Sequence, residues 1–136
     1  MNTSQQRRKR LGRGTVTGAV LCACVLALTC GTAQAQVGAP QVVSGDLGFN
    51  VYCVQDAVNW SIDSGLALDG DFGSKTYDAV RNFQAIANLH VDGEVGPQTG
   101  TDIWAAIKDQ MSVDGNFSTP YGIPIGNCYR VIPTSS

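Results

Sequence analysis

Val51, Val54, Val58 and Ile62 recur at helical spacing, which predicts a first helix from about Val51 to Ser64. Asn50 is placed to cap its start, and Gly65 stands where a left-handed residue would close it. Thr76, Ala79, Val80, Phe83 and Ala87 repeat the pattern, with Ser74 as cap, and predict a second helix reaching about Ala87. Pro97 suits the first position of a third helix, whose inward residues are Ile103 and Ile107. These stripes, together with Phe72, predict a mainly α fold, a compact three-helix bundle. Residues 111–136 break the pattern and read as an irregular strap pinned by Cys128, Tyr121 and Tyr129. Val113-Asp114-Gly115-Asn116-Phe117 looks like a third loop start, and Tyr129-Arg130-Val131-Ile132 leans toward a short hairpin.

Between the helices the chain repeats itself. Asp69-Gly70-Asp71-Phe72-Gly73-Ser74-Lys75-Thr76 returns as Asp92-Gly93-Glu94-Val95-Gly96-Pro97-Gln98-Thr99. Each copy sets an Asp-Gly turn, an apolar residue and a second Gly before a helix, so the bundle contains two equivalent loop-helix units. Both glycines of each copy suit positive φ, and Thr76 and Thr99 fall in the first helical turns.

Ahead of the bundle, residues 1–35 read as a secretory signal. Arg7, Arg8, Lys9, Arg10 and Arg13 form a basic start, Val16 to Leu28 is apolar, and Ala33-Gln34-Ala35 suits cleavage before Gln36. The apolar stretch is short for a membrane span, and no later segment is apolar enough for one. Residues 36–48, rich in Gly, Val, Pro and Ser, read as a linker or a locally ordered arm. Beyond residue 35 the chain keeps Lys75, Arg81, Lys108 and Arg130 against eleven acidic residues, a net charge of −7. Such a balance argues against nucleic acid or an anionic membrane as partner. Two of the five cysteines, Cys53 and Cys128, also remain. In an oxidising compartment they form one disulfide tying the first helix to the strap, or else stay free or bridge two molecules.

The ordered motifs identify a family. Val51-x-x-Val54-Gln55-x-x-Val58, then Asp69-Gly70-x-Phe72-Gly73, Ala79-Val80-x-x-Phe83-Gln84 and Val91-Asp92-Gly93-x-Val95-Gly96-Pro97-x-Thr99 follow one another. The series resembles the helical peptidoglycan-binding domain of bacterial cell-wall hydrolases, over residues 49–110. The resemblance implies peptidoglycan, through its glycan or stem peptide, as the partner. It implies a shallow groove beside the Asp-Gly loops as the contact. Gln55 and Gln84 match the family's glutamines, and buried amides of this kind need backbone partners in the loops. One position departs: the family commonly has Trp after the second Thr, where this chain has Gly100, with Trp104 one turn later.

Catalysis finds few groups to work with. His90 is the only histidine and, with two pairing cysteines, cannot supply a zinc site's three protein ligands. A serine triad would also need His90, and no Gly-x-Ser-x-Gly turn occurs. Asp69 with Asp71, and Asp92 with Glu94, sit in Gly-bearing turns, where carboxylates bind backbone N–H groups more often than they catalyse. The run also lacks a calcium loop's glycine placement and distal Glu. The expectation is therefore a secreted, non-catalytic, monomeric cell-wall binder without cofactor or metal. Asp71, Phe72, Tyr77, Asn82 and Trp104 are its candidate ligand contacts. Against this stands the reading that Trp60, Tyr77 and Trp104 merely complete a small core. The alternative function is a protein–protein module, an inhibitor or accessory subunit reusing the fold for another secreted protein.

Overall fold

The computed structural model describes residues 38–135; the secretory signal read over residues 1–35 lies outside them. Three α-helices form: α1 (Phe49–Ile62), α2 (Ser74–Ile86) and α3 (Pro97–Asp114), followed by a 3-10 helix (Ile125–Arg130). No strand forms among the described residues. Three isolated bridges, Val42 with Val95, Leu47 with Asp71 and Ser118 with Pro124, take the place of a sheet.

The helix α1 is the axis of the molecule. Every residue from Val51 to Val58 is buried, so its apolar side chains serve all sides rather than one stripe. Around it pack α3, α2 and the 3-10 helix. The core joins Val51, Val54 and Val58 to Phe72, Val80, Phe83, Ile103, Ile107, Ile125 and Ile132. The helix start differs from the expected one. Gly48, not Asn50, occupies the cap position, and the closing left-handed residue is Asp63 (φ 50°), two positions before Gly65.

The segment read as a linker is docked along most of its described length. Val42 is fully buried and exchanges backbone hydrogen bonds with Val95 (3.1 and 2.9 Å). Further on, the Gly45 N–H donates to the Phe72 carbonyl (3.0 Å), and the Phe72 N–H donates to that of Asp46 (3.0 Å). The Gly48 N–H donates to the carbonyl of Gly70 (2.8 Å). The arm thus satisfies backbone groups of both Asp-Gly loops, which explains why so Gly-rich a segment is held in place.

The strap also differs from its reading. Val113 and Asp114 are the last turn of α3, not a third loop start; Gly115 (φ 77°) ends the helix. Tyr129 and Arg130 lie in the 3-10 helix rather than a hairpin. The disulfide forms as expected, with Cys53 and Cys128 fully buried and their Cα atoms 5.8 Å apart. Beyond it, Ile132 is fully buried and Pro133 lies directly over Gly100. A Cβ at Gly100 would overlap the Pro133 carbonyl oxygen, so the backbone of the strap occupies space that a side chain there would need.

Replacing both Cys53 and Cys128 with Ala opens a loop closed across 75 positions. Loop entropy gives a loss of about 4 kcal/mol, to be read as a lowered urea midpoint without loss of cooperativity.

Candidate functional site

Two buried glutamines build the two loops in the same way. The Gln55 amide nitrogen donates to Asp69 Oδ1 (2.8 Å), the Asp71 carbonyl (3.0 Å) and Thr76 Oγ1 (3.2 Å). Its Oε1 accepts from the Gly70 N–H (2.9 Å). In the second copy, Gln84 donates to Asp92 Oδ1 (2.8 Å), the Glu94 carbonyl (2.9 Å) and Thr99 Oγ1 (3.1 Å). Its Oε1 accepts from the Asp92 (3.1 Å) and Gly93 (2.9 Å) N–H groups. Each Asp also accepts the N–H two residues ahead, Asp71 to Asp69 and Glu94 to Asp92, both at 2.9 Å. These are Asx turns, the turn-forming role expected of the acidic pairs.

The glycines divide the work. Gly70 (φ 70°) and Gly93 (φ 78°) are left-handed, whereas Gly73 and Gly96 are extended caps of α2 and α3 with negative φ. Positive φ therefore applies to the first glycine of each copy only. A tyrosine covers each of these first glycines. The Tyr77 ring lies on Gly93, and the Tyr121 hydroxyl lies on Gly70 while donating to the Asp69 carbonyl (3.4 Å). A side chain at either glycine would collide with its tyrosine.

Each loop floors a cleft at the start of the following helix. The first, about 240 Å³, includes Gln55, Leu66, Asp69, Asp71, Lys75 and Thr76. The second, about 380 Å³, includes Gln41, His90, Asp92, Glu94, Gln98 and Thr99. Both are rimmed by carboxylates. The Asp71 N–H holds the Asp69 carboxyl below its ordinary range, with help from the Gln55 amide. For Asp92 the Glu94 N–H is the leading cause, joined by Gln84 and His90, whose Nδ1 stands 3.1 Å from Asp92 Oδ2. Burial pushes Asp56, on α1, in the opposite direction. Among the described residues, no three His, Cys, Asp or Glu side chains gather as a metal-ligand set.

The candidate contacts do not converge. Asp71 is exposed and lines the first cleft. Phe72 is fully buried in the core and has no surface to offer a ligand, because the arm closes over its backbone. Tyr77 is half-buried on the second loop. Asn82 is exposed on α2 and lines neither cleft. Trp104 is half-buried against Tyr129 of the strap, with ring centroids 6.1 Å apart. Trp60 donates its indole N–H to Asp109 (3.0 Å). Asp71 was among the expected contacts, whereas its repeat equivalent Glu94 was read only as turn-forming, although the aligned copies put the two in the same position. Gln41, which reaches the second cleft from the arm, was not among them.

Gln84→Ala removes the amide while leaving the loop's buried partners unsatisfied. Stability should fall by about 2–4 kcal/mol in urea unfolding, with the Gly93 amide losing exchange protection. Asp92→Asn retains an acceptor but removes the charge. The lowered folded pKa of Asp92 means that its stabilising charge is present above the unfolded value of 3.8 and lost as pH falls through the folded value. The protein and the Asp92→Asn variant should therefore differ in urea midpoint near neutral pH and converge in strong acid. Asp56 contributes equally to both and cancels in the difference.

Residues 55–101 match the family described as "Putative peptidoglycan binding domain". Among solved structures, the crystal structure of the SleB N-terminal domain is similar at 31% identity, covering 52% of this chain and 97% of that one, with a TM-score of 0.49. No curated protein matches. Through residues 55–101, which hold both glutamine-built loops, the chain belongs to the peptidoglycan-binding domain family.

Proposed function

We propose that this protein is a secreted, non-catalytic binder of bacterial peptidoglycan. It acts as a monomer and without a cofactor. The observation that carries the reading is the family match over residues 55–101, which spans Gln55, Gln84 and both Asp-Gly loops. The loops present two clefts whose rims carry amide, carboxylate and hydroxyl groups, suited to the hydroxyls and acetamido groups of a glycan or the amides of a stem peptide. Secretion is supported by the basic, apolar and small-residue order of residues 1–35. No helix among the described residues is long and apolar enough to cross a membrane.

Contact falls to the cleft rims rather than to an aromatic platform. Asp71 and Lys75 would serve in the first cleft, Glu94 and Gln98 in the second. Tyr77 supports the second from beneath, through Gly93. Asn82 extends the contact only for a ligand that also runs along α2. The cover that Tyr129 gives Trp104 favours a second reading, in which the strap face meets another secreted protein.

Oxidised protein should co-sediment saturably with purified, protein-free peptidoglycan. Glu94→Ala with Gln98→Ala should weaken binding about tenfold, a loss of about 1.4 kcal/mol, while the melting temperature stays near that of the parent. Folded protein that remains in the supernatant at moderate salt would reject wall binding and leave the protein–protein reading.

A further inference from the structure

A third cleft lies outside the family segment altogether. Pro40 of the arm, Phe49 and Asn50 at the start of α1, and Arg130 and Val131 of the strap line a space of about 340 Å³. That volume is at the lower end for small-molecule sites. Nothing in residues 55–101 contributes to it.

Its single cation is held in place. Arg130 donates its Nε–H to the Tyr129 hydroxyl (2.8 Å), and its guanidinium lies 5.3 Å from the Tyr129 ring centroid. Tyr129 in turn packs on Trp104 of α3. The guanidinium thus lies against one aromatic ring that is itself packed on a second, and its two Nη groups remain for a ligand. The only ion pair among the described residues joins His90 to Asp92, so Arg130 has no carboxylate partner in a domain carrying eleven acids. The Asn50 amide also takes part in no hydrogen bond among the described residues. Phe49, Val131 and Pro40 supply apolar walls.

We propose that this cleft binds the free terminal carboxylate of a short peptide ending in a small apolar residue. A planar guanidinium fits a carboxylate through two parallel N–H bonds, and a fixed one loses less entropy in doing so. Asn50 offers both a donor and an acceptor to the peptide's last amide, while Phe49 and Val131 receive its small side chain. The site stands independently of wall binding by the loops, since the two share no lining residue.

The test is an NMR titration of the oxidised protein with acetyl-Ala-Ala-Ala as the free acid. The expected result is saturable shifts at the Asn50 and Val131 amides. Capping the peptide as its C-terminal amide should weaken binding roughly tenfold or more, and so should Arg130→Gln. Lys108→Gln, exposed on α3 and lining none of the three clefts, should leave it unchanged. Asn50→Ala gives a second variant, expected to weaken binding several-fold. The all-D peptide distinguishes sources: preference for it assigns a wall stem peptide, and preference for the L form assigns the C-terminus of a protein. Equal binding of acid and amide, unchanged binding by a folded Arg130→Gln variant, or no shifts at millimolar peptide would each overturn the proposal.

Discussion

The structure depends on the primary amide of a buried glutamine. Each amide offers two N–H groups and one carbonyl oxygen, and in this fold all of them face one Asp-Gly loop. The two hydrogens are shared among a carboxylate, a backbone carbonyl and a threonine hydroxyl. A glutamate could not donate to these acceptors and would bury a second negative charge beside Asp69 or Asp92. An asparagine would be one methylene too short. Because Asp69 and Asp92 are themselves largely open to solvent, their charge alone would be weakly stabilising. It is the buried amide that fixes the carboxylate, the carboxylate that fixes the N–H two residues ahead, and the resulting turn that aims the next helix.

The same frame supports unlike rims. Gln55 and Asp69 are 14 positions apart, whereas Gln84 and Asp92 are 8 apart. The extra chain in the first copy is held by Asn59, whose amide donates to the Leu66 carbonyl (2.9 Å) and whose Oδ1 accepts from the Leu66 N–H (2.8 Å). That insertion brings Leu66 and Ala67 to the wall of the first cleft. In the second copy the short return leaves room for His90, and the arm lends Gln41. Duplicating the frame therefore did not duplicate the surface, and the two clefts differ in both size and chemistry.

The three helices were legible because their apolar residues recur at helical spacing and Pro97 marks the start of α3; Ser74, read as the cap of α2, is instead its first residue, and Gly73 takes the cap position. Gln55 and Gln84 were legible as loop-binding amides, since a polar residue on an apolar face must find partners. The arm was not. Val42 is one of several apolar residues in a run with no helical or strand period, and its burial depends on Val95, far along the chain. Phe72 was legible as a core residue, but its second reading as a ligand contact fails, because the arm closes over its backbone. Nor could local pattern show that Tyr121 would reach Gly70, or that Tyr129 would lie on Trp104. Each is a long-range contact that carries no periodic signal.

Gly100 connects these observations. Glycine inside a helix is a weak helix former, costing about 1 kcal/mol relative to Ala. Here it lets the Pro133 backbone approach α3 closely enough to bury Ile132. The strap, secured by Cys53–Cys128, thereby returns apolar burial that the missing side chain would have supplied. Val42, Val51, Val54, Ile103, Ile107, Ile125 and Ile132 all belong to the core yet lie outside residues 55–101. The family segment supplies the loops, but arm and strap complete the hydrophobic interior on which those loops rest. Freeing the strap would consequently unsettle both α1, which carries Gln55, and α3, whose first turn carries Thr99, and so both clefts.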